Sequence, residues 1–119
     1  MEEDGRVSTW AGTFNNEIEL TNYMEEIFDD EGDSTSQFMT DFQIDYIDPQ
    51  FQEVDFNNYE TPFTEKLKGF SYINSFIEKL EKYKVSCNAI VCLYSFEYHK
   101  STKDLHRLQY IGCFDYKEN

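Results

Sequence analysis

Residues 88 to 98 read N-A-I-V-C-L-Y-S-F-E-Y, and this stretch decides the fold. From Ala89 to Tyr94 the run is apolar without alternation. A half-exposed strand alternates at period two, and an amphipathic helix repeats at three and four. An unbroken short run does neither. It reads as a strand covered on both faces, as in the middle of a sheet.

Downstream, residues 99 to 104 (H-K-S-T-K-D) read as a polar hairpin loop, and Leu105 to Tyr116 as the returning strand. In that strand Leu108, Tyr110, Phe114 and Tyr116 alternate with Arg107, Gln109 and Asp115, which fits a half-exposed position. At the other end of the chain, Val7 to Phe14 (V-S-T-W-A-G-T-F) reads as a strand with Trp10 and Phe14 on one face. Gly12 shares that face and leaves room for a bulky neighbour to approach the backbone.

Helical patterns lie between these strands. Asn16 is placed as an N-cap, with Glu19 three residues on as its capping-box partner. Apolar residues at 20, 23, 24, 27 and 28 then predict a helix over 17–30, stopped near Gly32. A short helix is expected over Ser34 to Phe42, with Phe38, Met39 and Phe42 inward. Residues 43–60 read as a long irregular connection, with a turn at Asp48-Pro49. Thr61-Pro62 reads as the start of a short helix to about Lys68, closed by Gly69. Ser71 would cap a longer helix carrying Ile73, Phe76, Ile77 and Leu80. The resulting order, β-α-α-α-α-β-β, predicts an α+β fold. Its small, mainly antiparallel sheet joins the N-terminal strand to a C-terminal β-hairpin, with helices mostly on one face. We expect one domain over residues 1–119, with its core at about 7–116.

Eleven Phe and nine Tyr in 119 residues supply a core, so acidity here does not signal disorder. No apolar run approaches a membrane span. The N-terminus Met1-Glu2-Glu3-Asp4 lacks the apolar segment of a signal peptide, so the cytoplasm is the expected location. Cys87, Cys92 and Cys113 are odd in number and lack C-x-x-C spacing. They are expected as free thiols, with Cys92 and Cys113 buried as small hydrophobes in a reducing compartment.

The charge of −14 is distributed unevenly. Residues 1–60 hold 17 acids and one base, Arg6, for −16; residues 61–119 hold 7 acids and 9 bases, for +2. Binding nucleic acid requires a basic surface, so the expected partner is cationic. The densest acidic run is E-E-I-F-D-D-E-G-D at 25–33. On the predicted helix, Glu25/Asp29 and Glu26/Asp30 are repelling i, i+4 pairs, and the acids oppose the helix dipole. Uncompensated local costs of this kind point to function. An EF-hand register that places Gly32 at position 6 puts Ile27 at position 1, where it cannot ligate. No P-loop, nucleophile elbow or dinucleotide motif is present, and His99 and His106 read as solvated loop residues. No cofactor or metal is expected.

Several segments together resemble a known family. They are W-A-G (10–12), N-Y (22–23), S-Q-F (36–38), D-F (41–42), Y-I-D-P-Q-F (46–51), G-F-S-Y (69–72), the 88–98 strand and Y-I-G-C-F (110–114). In this order and spacing they resemble the immunity protein 22 family of bacterial polymorphic toxin systems. The resemblance implies a non-enzymatic protein that neutralises a toxin encoded beside it by binding. Many such toxins are nucleases with basic surfaces, which an acidic protein can occlude. The expected contact residues are Glu25, Glu26, Asp29, Asp30, Glu31, Asp33, Asp45, Asp48, Glu53 and Asp55, with Tyr46, Phe51, Phe56 and Tyr59 as aromatic anchors. Phe51 and Phe56 are equally candidates for the core. Two other readings compete: a nucleic-acid mimic that blocks a DNA-binding protein, and a carboxylate-based enzyme.

Overall fold

The apolar run does become an inner strand. A computed structural model describes residues 2–62, 86–99 and 106–117, with side chains over 2–57, 86–99 and 106–117. Its elements are β1 (Glu2–Gly12), α1 (Glu17–Met24), β2 (Ile27–Phe28), β3 (Ser34–Thr35), α2 (Gln37–Phe42), a 3₁₀ turn (Pro49–Phe51), β4 (Gln52–Pro62), β5 (Ser86–Phe96) and β6 (Leu108–Asp115). The fold is α+β, built on an antiparallel sheet in the order β4-β5-β1-β6, with β2 and β3 forming a separate small ribbon.

β5 lies between β4 and β1, and Cys87 to Tyr94 are buried throughout. Even and odd positions of this strand therefore serve two cores. On one face Trp10, Val91 and Leu93 meet Leu20 and Tyr23 of α1 and Phe38, Met39 and Phe42 of α2. On the other, Val7, Ala11, Ile90 and Cys92 pack with Tyr94, Ile111 and Phe114. Both described helices thus sit on one face. The helices expected over 63–68 and 71–84, and the loop over 100–104, lie outside the described residues.

β5 and β6 do not form a hairpin with each other. β1 inserts between them, pairing Trp10 with Val91 on one side and with Tyr110 on the other. β1 thereby satisfies backbone groups along one edge of each strand. The predicted alternation of the last strand is also split. A bulge between the Thr9–Gly112 and Trp10–Tyr110 pairs inserts Ile111 as an extra residue. A one-residue insertion flips every later side chain to the opposite face. Leu108 and Tyr110 therefore join the helix-side core, whereas Phe114 and Tyr116 join the other.

Two further expectations are corrected. Residues 52–62, read as irregular and then as a helix start, form β4, which pairs with β5 from Gln52–Leu93 to Pro62–Ser86. The sequence E-V-D-F at 53–56 does alternate, but over too few residues to outweigh Pro49 and Asn57-Asn58. Pro62 is tolerated because β4 is the outermost described strand on its side. The helix over 17–30 ends early, at Met24, with Glu25 extended (φ −66°, ψ 126°). Its start is as predicted: the Asn16 side chain accepts from the Glu19 N–H at 2.9 Å. The Glu19 carboxylate, however, reaches the Asn15 N–H rather than that of Asn16.

Gly12 is required for space. A Cβ there would overlap the Arg107 carbonyl oxygen and stand 2.9 Å from Leu108 Cδ2. Neither the backbone nor the buried leucine can retreat cheaply. Gly12→Ala is expected to lower stability by about 1–3 kcal/mol by forcing β1 from β6. Urea unfolding checks this; an unchanged midpoint would show that the strands separate without cost.

Candidate functional site

The acidic run at 25–33 owes its shape to the early end of α1. With the helix stopped at Met24, the acids no longer stack at i, i+4, so the repulsion and dipole costs of a helical arrangement are avoided. The chain folds instead into the β2–β3 ribbon, where Ile27 pairs with Thr35 and Phe28 with Ser34. The Gly32 N–H bonds to the Asp29 carbonyl at 3.1 Å, and the Asp29 N–H to the Asp33 carbonyl at 2.8 Å. Gly32 takes φ +87°, the left-handed conformation that closes a three-residue hairpin loop. Asp29 has a structural role here: its Oδ1 accepts from the N–H groups of Glu31 (2.9 Å) and Asp33 (3.0 Å). Asp30 and Glu31 occupy the exposed tip.

The ribbon also displays apolar residues that the sequence reading placed inside. Ile27 and Phe28 continue the helical stripe numerically, yet they are 69% and 68% exposed. Six carboxylates flank them in sequence: Glu25, Glu26, Asp29, Asp30, Glu31 and Asp33. The period pointed to a buried face only on the assumption that the helix continued. The acids at 25 and 26 were the available signal that it does not.

A second place gathers four of the expected contact residues. Asp45, Tyr46, Asp48 and Phe51 line a cleft of about 300 Å³ beside the end of β5. Its floor is apolar, from Ile44, Ile47, Leu93 and Phe96. Glu2 adds a third carboxylate from the start of β1. The strands depart from regular pairing here: the β1–β5 register shifts between Glu2 and Val7, and Ser95 adopts φ +52°. Tyr46 is 69% exposed and Phe51 39%. Asp48 Oδ1 caps the 3₁₀ turn by accepting from the Gln50 N–H at 3.0 Å.

The remaining predicted residues lie elsewhere. By register, Glu53 opposes Cys92 and Asp55 opposes Ile90, which puts them on the sheet face away from α1 and α2. Phe56 is half-buried and packs against the helix-side core. Tyr59 falls on β4, with its side chain outside the described residues. The sequence-predicted contacts therefore divide among a ribbon, a cleft and a strand.

The histidines also divide. His99 is exposed as expected, but His106 is half-buried, with its ring 5.2 Å from that of Phe42 and Nδ1 3.6 Å from Asp41 Oδ2. Asp41 accepts hydrogen bonds from the Tyr23 hydroxyl and the Gln37 amide, each at 2.7 Å. Sequence alone does not reveal this cluster, because its members come from α1, α2 and the segment before β6 and meet only in the folded chain. The carboxylate's bonds tie those helices together. Among the described residues no group of His, Cys, Asp and Glu is arranged to hold a metal ion. Cys87 and Cys92 are buried free thiols, and Cys113 is half-buried rather than buried. No described helix is long and apolar enough to cross a membrane.

No curated protein and no solved structure matches the chain. The family described as Immunity protein 22 matches it over residues 7–117, from the β1 residues that enter the core to the end of β6. The chain belongs to this family of immunity proteins.

Proposed function

We propose that this protein neutralises a cationic toxin domain, of the nuclease type, by covering its basic surface with the acidic first half of the chain. The observation that carries this reading is the β2–β3 ribbon, where Ile27 and Phe28 stand exposed among carboxylates. Neighbouring exposed apolar side chains mark an interaction surface. Acids around them select a basic partner and speed its encounter, while apolar anchors slow its release. Free cysteines suit a reducing compartment, which supports a cytoplasmic site of action.

The test separates these contributions. Asp29 maintains the loop, so the informative charge reversal is Asp30→Lys with Glu31→Lys. This pair is expected to slow association with the toxin domain encoded beside the protein by about tenfold at low salt, with the fold intact. Phe28→Ala is expected instead to speed dissociation, at a cost of about 2 kcal/mol. Stopped-flow and surface-binding kinetics read both. Unchanged rates in both variants would remove the ribbon from the interface.

A further inference from the structure

We propose that the cleft beside the end of β5 is a receptor for a single long cationic side chain, arginine or lysine, presented by the basic partner. This inference rests on the toxin-binding reading and adds a second, chemically defined contact to it. At about 300 Å³ the cleft lies at the lower end of ligand-pocket volumes, enough for one side chain and too small for a folded segment. Its described lining carries three carboxylates (Glu2, Asp45 and Asp48) and no Lys, Arg or His.

The arrangement is layered. Ile44, Ile47 and Leu93 are buried and make an apolar floor, whereas the acids are at the rim. Long cationic side chains are built the same way, with an apolar stem and a charged head. The stem would replace water over the floor, and the head would meet the carboxylates. Tyr46 and Phe51, both partly exposed in the same lining, offer ring faces that attract a cation further. A neutral apolar ligand would leave the acids facing it without compensation. An anionic ligand would be repelled.

Two measurements test the assignment. In the first, N-acetyl-arginine amide and its neutral analogue N-acetyl-citrulline amide are titrated into the isotope-labelled protein. Saturable shifts at the Ile44, Ile47 and Leu93 methyls are expected with the arginine compound, and at least tenfold weaker ones with citrulline. Equal response to the two, or no saturable shift, would overturn the proposal. In the second, the double variant Asp45→Ala with Tyr46→Ala is bound to the toxin domain. Both positions are exposed, so the melting temperature should not change, and the dissociation constant should rise at least tenfold. If wild-type protein binds the toxin and the variant binds within twofold of it, the cleft assignment fails and the immunity reading stands. If wild-type protein does not bind that toxin, the immunity reading fails for this pair, and the amide titration still decides the cleft.

Discussion

Trp10→Ala is expected to remove about 3–5 kcal/mol of folding stability, the range for deleting a large buried aromatic. Against a total of about 5–15 kcal/mol, that brings a small domain close to unfolding. Trp10 is fully buried at the centre of the helix-side core. Its ring meets Phe38 at 5.1 Å, Tyr110 at 5.2 Å, Tyr98 at 5.4 Å and Phe42 at 5.8 Å between centroids. These partners come from α2, β6 and the segment after β5, so one side chain joins three parts of the fold. None of them can move to fill the gap without leaving its own contacts. Trp10→Phe should cost much less, because a ring remains and the indole N–H has no acceptor among the described residues. Urea unfolding of the two variants checks the ranking. A Trp10→Ala protein within about 1 kcal/mol of wild type would show that this core is not organised around the indole.

Stability is expected to fall in alkali. Burial raises the Cys92 thiol from 9.0 to about 12 and the Tyr110 phenol from 10.0 to about 12. It also raises Tyr23, Tyr94 and Tyr98, with the Asp41 carboxylate reinforcing the shift at Tyr23. The folded protein keeps these protons at pH values where the unfolded chain has lost them. It therefore binds more protons than the unfolded state, and its stability falls as pH rises. The contribution is complete below the ordinary thiol value of 9.0 and declines above it, with the tyrosines joining near 10.0. A wholly buried group such as Cys92 contributes a slope of at most about 1.4 kcal/mol per pH unit once it is ionised in the unfolded chain. The tyrosines contribute less than this where solvent screens them, so stability declines progressively between about pH 9 and 12. Circular dichroism and tyrosinate absorbance, followed together, should show one cooperative step. Smooth ionisation of every tyrosine with the fold intact would contradict the burial argument.

The parts read correctly from sequence share one property: their signals are local. The run from Ala89 to Tyr94 requires cover on both faces wherever it is placed, and β5 is an inner strand. Asn16 caps α1 through an atom three residues away, and Ser36 caps α2 in the same way, accepting from the Met39 N–H. Phe38, Met39 and Phe42 point inward because six residues of helix suffice to put them there. Gly12 was placed correctly because a strand glycine facing a core implies a close neighbour.

The misread parts depended on partners distant in the chain. Ile27 and Phe28 fit a helical stripe, but among the described residues no core covers them, and the repulsion among the acids favours a turn. The alternation from Leu108 to Tyr116 was real in sequence and broken in space, since only pairing with β1 reveals the bulge at Ile111. His106 and Asp41 are 65 positions apart in a chain whose pattern gives no reason to join them. The acidic residues are the instructive case. Sequence alone determined their number and the concentration of 17 of the 24 in residues 1–60. The tertiary structure decided that they do not form one surface. Charge is a property of composition, whereas the face on which it appears is set by strand register and by the point at which a helix gives way to a turn.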